Sequence, residues 1–404
     1  MAVVVGNTNF SLRFSLTYLK ILGLWPSAEI MGWKKILYFI YTSFIFMLIL
    51  GTYVVIQLVD LCIIWGNLPL MTSTAFLLCT NLVHSVKFFN LLLRRHPIGV
   101  IIQQNDAVLK SANSPRKRKI VESCKRGTNI HLVTFLSLTS VTLIGFAAGP
   151  ALESQSIQLP LRGWYPYDWR KTPAYELTYA HQIFAIYVAA YLNVSKDMVV
   201  VSLLAQCRCR LKLVAHTLST LCEDMDIETK HMSKFQEKVV ESKLRNCIQE
   251  HKDILETVTQ LQSCFSEPTF AQFTVSLVII CVTAFQLTSQ TGNSIRMLSM
   301  ATYLLNMMEQ VFIYCYEGNE LLVEISFSLY ISFLQSENVS RSAYEWPWYE
   351  CGVRVRRSVL MLMTRCRRTA KVTAAGFTTL SLDSFMNILK VSYTFFTVLR
   401  QVSE

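Results

Sequence analysis

Asp383, Asn387, Lys390, Thr394, Thr397 and Gln401 are separated by 4, 3, 4, 3 and 4 residues. That alternation holds all six on one face of a helix. Phe385, Ile388, Phe395 and Leu399 lie largely opposite. Hydroxyl and amide groups on such a stripe can replace part of a cation's water shell, and apolar rings can close a conduit by dewetting. Val398 and Val402 stand beside Thr397 and Gln401 for the second role. Two readings remain open. Copies of this helix around an axis would line a water-filled path, or the stripe would hydrogen-bond neighbouring helices within one chain, with Asp383 and Lys390 paired.

A second constellation is made of small residues. Thr142, Gly145 and Gly149 follow a 3, 4 spacing, which leaves either close helix packing or room for a ligand. No nucleophile–base pair, phosphate loop or His/Cys metal spacing is present, so neither an enzyme, a metal nor a cofactor is expected. The 12 cysteines are scattered and suggest no disulfide framework. Cys207 and Cys209 are either acylation sites or ordinary free thiols.

These residues must be positioned by membrane helices. Ile36–Val59, Leu61–Val86, Thr128–Leu152, Leu177–Ser195 and Pro268–Ile295 contain no Asp, Glu, Lys or Arg, and each reaches the roughly 18-residue length of a spanning helix. Asn67-Leu-Pro69 marks a tight turn between the first two. Met297–Tyr316 is interrupted only by Glu309, and Thr378–Leu399 carries Asp383 and Lys390. Ionisable groups at that depth predict helices shielded by protein or water.

Basic charge alternates along the connections. Of 38 Lys and Arg, 30 fall in the N-terminal stretch and every second connection, 5 in the intervening pieces and at the tip, and 3 within spans. Positive loops stay in the cytoplasm. The expected fold is therefore all-α, with seven transmembrane helices, the N-terminus inside and the C-terminus outside. The net charge of +11 follows from that topology and from anionic inner-leaflet lipid, and predicts no nucleic-acid partner. The basic run Ser114-Pro-Arg-Lys-Arg-Lys119 is either a phosphoinositide contact or a plain topology signal. The aromatic loop Leu159-Pro-Leu-Arg-Gly-Trp-Tyr-Pro-Tyr-Asp-Trp169 reads as an interfacial belt or as a lid.

The expected organisation is a cytoplasmic N-terminus over 1–35, spans one to four over 36–204, and a cytoplasmic helical extension over 205–267. Spans five and six follow over 268–317, cytoplasmic anchor helices over 318–376, and the last span over 377–404. Within the extension, Phe235, Val239, Leu244, Ile248, Leu255, Val258, Leu261 and Phe265 share a helix face. Such a rod needs a partner; Leu329–Leu334 and Val359–Met363 are apolar candidates for a layer shared between subunits.

Several stretches resemble the insect odorant receptor family: Tyr18-Leu-Lys-Ile-Leu-Gly-Leu-Trp-Pro26, Cys247-Ile-Gln-Glu-His-Lys-Asp-Ile-Leu255, Cys315-Tyr-Glu-Gly-Asn-Glu-Leu321 with Tyr344-Glu-Trp346, and the whole end from Leu380 to Leu399. The resemblance implies an odorant-gated non-selective cation channel in the plasma membrane of olfactory dendrites, multi-pass, assembled as a heterotetramer with a shared odorant co-receptor subunit. The compact second inner loop resembles a ligand-tuning subunit rather than the co-receptor. The family's last helix lines the pore, which implies a gate at Val398 and Val402 and pore positions at Gln401, Thr394 and Thr397. Its pocket for a small volatile organic ligand implies Thr142, Gly145 and Gly149 on the third span. By depth it also implies Thr74 and Leu78, Tyr179 and Ile183, and Met300 and Tyr303.

The rivals are a gustatory-type chemoreceptor channel of the same superfamily and, less well matched, a G-protein-coupled receptor, which needs the opposite topology. The sequon Asn338-Val-Ser340 is expected to stay unglycosylated in the cytoplasm.

Overall fold

Charge-free runs long enough to cross a bilayer fold here as helices that overshoot it. The computed structural model describes residues 9–26, 32–152, 159–221, 234–289, 294–326, 348, 351–366 and 372–403. Among these, five helical stretches are long and apolar enough to span a membrane: Trp33–Ile63, Leu70–Lys110, Pro115–Gly149, Ala174–Ser219 and Phe235–Thr288. The chain is an all-α, multi-pass membrane protein. Helix α1 (Phe10–Ile21) precedes them, and its N-cap Asn9 accepts the Ser11 amide at 3.2 Å.

Helices α2 (Trp33–Phe46) and α3 (Thr52–Ile63) form one rod interrupted by a π turn over Met47–Gly51. Within that turn the Leu48 carbonyl accepts from Thr52 Oγ1 at 3.1 Å and lies 3.3 Å from His181 Nε2. Ile49 and Leu50 are thereby turned into the core. The turn between the first two rods comes where it was expected, at Asn67, and Asp60 lies inside the first rod. The helix runs to Ile63, turns, and restarts as α4 (Leu68–Lys110), where Asn67 Oδ1 accepts the Leu70 amide at 3.4 Å. Asp60 stays helical because the Thr74 hydroxyl donates to its carboxylate at 2.8 Å.

Helices α5 (Pro115–Leu152), α6 (Ala174–Ser219), α7 (Lys234–Ser289) and α8 (Ser294–Ser326) follow. In its most apolar window α6 is 83% buried against 28% for α5, so α6 is the central helix on which the others pack. Position 267/268 lies within a continuous helix. Extension and fifth span are one helix of 56 residues, about 84 Å long at 1.5 Å per residue. Pro268 has no amide to offer the Cys264 carbonyl, and Asn90 Nδ2 donates to that carbonyl instead at 3.0 Å.

The buried line of α7 is Val240, Leu244, Cys247, His251, Ile254, Val258, Leu261 and Phe265. The expected face is corrected at its start, because Phe235 is 76% exposed and Val240, not Val239, is fully buried. Periodicity gives the pitch of an apolar stripe, whereas its phase is set by the partner helices α4 and α6.

Helix α9 (Val353–Cys366) buries Val355, Val359 and Leu362; Leu329–Leu334 and the sequon at Asn338 lie outside the described residues. A two-residue antiparallel hairpin, Thr373–Ala374 with Thr378–Thr379, then turns through Ala375 (φ 50°) and Gly376 (φ 77°), the conformation that favours glycine in tight hairpins. Ser266 and Gln262 of α7 hold it, with Gln262 Nε2 donating to Thr373 Oγ1 at 2.7 Å. Helix α10 (Leu382–Ser403) therefore begins five residues later than the expected segment start at 377. The Ser381 hydroxyl accepts the Ser384 amide at 3.3 Å as its cap.

The basic residues near the C-terminal end of α6 are held in ion pairs. Arg208 pairs with Glu317 and Glu320, Arg210 with Glu250, and Lys212 with Glu324. Burial pushes the Glu324 carboxyl above its ordinary value, opposed by Lys212. Cys207 and Cys209 are 0% and 2% exposed, so the packed helices leave no thiol presented for acylation.

Candidate functional site

Between α3, α4, α5, α6 and α8 lies a cavity of about 90 Å³. Each helix contributes at its own period. Leu77, Thr80, Asn81 and His84 come from α4; Phe135, Thr139, Thr142, Leu143 and Phe146 from α5; Ala185, Ile186, Ala189, Ala190, Asn193 and Val194 from α6; Tyr303, Asn306 and Met307 from α8. Ile49 of the π turn and Tyr53 of α3 close one side. The wall is mostly apolar, with a few inward polar groups, the chemistry of a small-molecule pocket.

Most of those polar groups are already hydrogen-bonded, to one another or to residues behind the wall. Thr80 and Tyr303 share a hydrogen bond of 2.7 Å between hydroxyls, Thr139 donates to Asn306 Oδ1 at 3.2 Å, and Asn81 Nδ2 donates to Gln57 Oε1 at 2.9 Å. Thr142 Oγ1 turns back to the Leu138 carbonyl at 2.9 Å. Tyr303 is wedged edge-on between Phe76 and Phe146.

The aromatic loop closes the cavity. Leu161 reaches the lining and exchanges two backbone hydrogen bonds with the Gln182 amide, at 2.9 and 3.0 Å. Arg162 Nε bonds the Asp60 carboxylate at 3.1 Å, which ties the loop to the first two spans. Of the two readings of this loop, the lid describes Leu161 and Arg162, while Trp164 and Tyr167 remain 40% and 48% exposed.

Of the residues expected in a pocket, Thr142 and Tyr303 line the cavity and the other seven do not. Thr74 is committed to Asp60. Tyr179 donates to the Ala147 carbonyl at 2.6 Å. Leu78 and Met300 are buried in the core, and Ile183 is half-buried. A Cβ on Gly145 would collide with the Ser299 side chain, so this glycine serves close packing of α5 on α8, whereas one on Gly149 would meet nothing within 4 Å. The expected positions that miss the lining lie mostly nearer the loop end: Thr74 against 77–84, Gly149 against 135–146, Tyr179 and Ile183 against 185–194, Met300 against 303–307. The cavity lies about one helical turn deeper than expected. Sequence reasoning missed Asn81, His84, Asn193 and Asn306, although polar residues within apolar spans are themselves a signal.

Directly beneath is a network of buried charge. Lys87 Nζ donates to Asp197 at 2.6 Å and to Asn193 Oδ1 at 3.4 Å. Asp197 also accepts from Tyr314 at 2.9 Å and from Gln310, and Gln310 Oε1 accepts from Gln272 at 2.9 Å. Lys196 Nζ donates to the His84 carbonyl at 3.0 Å. Asn193 thus joins cavity wall and ion pair, and the network spans α4, α6, α7 and α8. Glu309, the charge inside the sixth apolar run, accepts from Thr134 at 2.6 Å.

The same α8 reaches the last helix. Phe312 meets Phe385 edge-on at 5.6 Å, and a Cβ on Gly318 would lie 2.8 Å from the Leu380 carbonyl oxygen. Helix α10 packs through Ser384, Ile388 and Ser392, with Ser392 Oγ donating to the Leu277 carbonyl at 3.2 Å. Asp383, Asn387, Lys390, Thr394 and Gln401 are exposed, Thr397 is half-buried, and no ion pair joins Asp383 to Lys390 among the described residues. Thr394 and Thr397 return their hydroxyls to the helix backbone. Val398 is 50% exposed, as is Phe395 at 53%, which leaves the latter off the packed side it was expected to join. The side chain of Val402 lies outside the described residues.

Residues 67–393 match the family described as 7tm Odorant receptor. Odorant receptor Or1 of Anopheles gambiae is 25% identical over 98% of this chain and 96% of its own length. Odorant receptor 46a, isoform A, of Drosophila melanogaster is 22% identical over 96% of each. The odorant receptor coreceptor of Ooceraea biroi matches 42% of this chain at 27% identity. The fold matches that of olfactory receptor OR5 from Machilis hrabei in complex with eugenol, at a TM-score of 0.79, 18% identity and 97% of both chains.

Proposed function

Because the chain belongs to the insect odorant receptor family, we propose that it is an odorant-gated, non-selective cation channel subunit that sets ligand specificity beside the shared co-receptor. Its class is receptor and channel, not enzyme. The observation that carries the reading is the cavity between the helices whose α8 wall, Tyr303, Asn306 and Met307, continues as one helix to Phe312, against the last helix, and Gly318, against Leu380 just before it. The relative in complex with eugenol supports a small volatile as the occupant.

Seven crossings complete the architecture, with α8 and α10 as the sixth and seventh, the N-terminus inside and the C-terminus outside. Segments 1–35, 205–267 and 318–376 form the cytoplasmic layer, 36–204 and 268–317 the ligand-binding spans, and 377–404 the pore segment. The membrane is the plasma membrane of the sensory dendrite. Copies of α10 surround the pore, with Gln401, Thr394 and Thr397 facing ions and Val398 and Val402 forming the gate. The exposed polar stripe on α10 supports this, since among the described residues no other helix pairs with its exposed members.

Gating follows from size. A cavity of about 150 Å³ accepts benzene, and the one here is about 90 Å³. A ligand of benzene's size occupies most or all of that volume, and the open state has to be the one that fits it better. Displacement of α8 at Tyr303 and Met307 is transmitted through Phe312–Phe385 and draws the gate valines off the axis.

The test is whole-cell current in cells expressing this chain with and without the co-receptor, under an odorant panel and G-protein blockade. Rapid cation current that needs both subunits, survives blockade and changes ion selectivity on Gln401→Ala supports the assignment. Current that requires G-protein coupling overturns it, and current from this chain alone overturns the tuning-subunit role.

A further inference from the structure

The cavity carries polar capacity that the chain does not use. His84 lines it and is 5% exposed, yet among the described residues neither ring nitrogen has a hydrogen-bond partner. Most lining groups are spoken for by Gln57, Lys87, Leu138 or one another. Tyr53, which also lines the cavity, faces Tyr165 with its hydroxyl and stacks its ring on His181. The His84 backbone is held in place by the Lys196 ammonium on its carbonyl, so the ring does not owe its position to contacts of its own nitrogens. A buried polar group left unpaired is a free-energy cost that proteins rarely leave standing, and an arriving ligand can relieve it.

The chemistry of the wall narrows the ligand. Among the described residues no Lys, Arg, Asp or Glu lines the cavity, so a charged ligand would lose its hydration without a facing counter-charge. A wholly apolar ligand would fill the space and leave the imidazole unpaired. A neutral imidazole offers one donor and one acceptor. A hydroxyl can answer either of them, whereas a carbonyl answers the donor alone.

We propose that His84 is the polar anchor of this cavity and that the chain is tuned to small neutral volatiles bearing a hydroxyl group, alcohols or phenols, bound to its imidazole. The proposal rests on the receptor reading above and deepens it. Hydrogen bonding to a buried group discriminates more sharply against an analogue lacking the partner than apolar packing discriminates by volume. His84 is thus the specificity-determining residue, and the apolar wall sets only the size limit.

The experiment compares an alcohol with the analogue that replaces hydroxyl by methyl, on the heteromeric channel. The ratio of half-maximal concentrations is read in the native chain and in His84→Phe, so that membrane partitioning of the two volatiles cancels. The expected ratio favours the alcohol by about tenfold or more in the native chain and falls below about threefold in His84→Phe, while His84→Gln keeps most of it. If His84→Phe fails to reach the surface, the less bulky His84→Leu carries the same reading. An unchanged ratio with robust current overturns the anchor and leaves the receptor reading intact. Thermal stabilisation of the purified heteromer by the alcohol, measured without gating, separates the two further. Stabilisation lost in His84→Phe supports the anchor even where no current is evoked, and equal stabilisation of both overturns it.

Discussion

Asp197→Ala removes the acceptor shared by Lys87, Tyr314 and Gln310 and strands a lysine that is 6% exposed inside the helix bundle. The ion pair joins residues 110 positions apart in sequence, so no local rearrangement can replace it. Breaking one side of a buried pair costs about 3–5 kcal/mol, because the remaining charge is left uncompensated. Unfolding entropy is about 2.1 cal/mol/K per residue. Over 404 residues this gives about 0.85 kcal/mol/K, so the expected fall in melting temperature is roughly 4–6 °C. The assay is a thermal scan of the detergent-purified chain at one fixed rate, since the transition of a large protein is rate-dependent. Removing both charges with Lys87→Met and Asp197→Leu should cost far less than the single change, because an apolar pair of similar volume replaces a desolvated ionic one. A fall below about 1 °C for Asp197→Ala, or a double variant as damaged as the single, would refute the reasoning that this pair is buried and mutually dependent.

Gly145→Ala should destabilise the chain by about 1–3 kcal/mol through overpacking against Ser299, and adding Ser299→Gly should restore most of the melting temperature. Thr142→Val should shift odorant half-maximal concentrations by less than about threefold, because the hydroxyl is already spent on the Leu138 carbonyl; a tenfold loss in dose–response recordings would give Thr142 a direct ligand contact. Arg162→Ala loosens the lid by removing a partly exposed ion pair with Asp60. Such pairs are worth up to about 1 kcal/mol, so current decay after odorant washout should speed up by at most about fivefold. With Val398 in the proposed gate, Val398→Ser should raise the current measured without odorant, because a hydroxyl would wet an apolar constriction.

The sequence alone determined the solvent of this protein. Charge-free runs such as Thr128–Leu152 specify membrane helices by length and composition, properties that need no partner to read. The stripe from Asp383 to Gln401 was legible for the same reason, since residues on one helix face are fixed by local geometry. The family motifs were legible because they are contiguous.

What the sequence left undetermined depends on where helices cross. The Gly145–Ser299 approach brings α5 and α8 together near their loop ends, and the cavity lining falls about a turn farther along than most positions inferred by depth. Thr142 and Tyr303 fall on that level, and Thr74, Tyr179 and Met300 do not. Likewise, Lys87 and Asp197 look like isolated costs along the chain and become partners only when α4 and α6 meet. Local periodicity fixes which face a side chain occupies, and only the tertiary packing decides what that face meets.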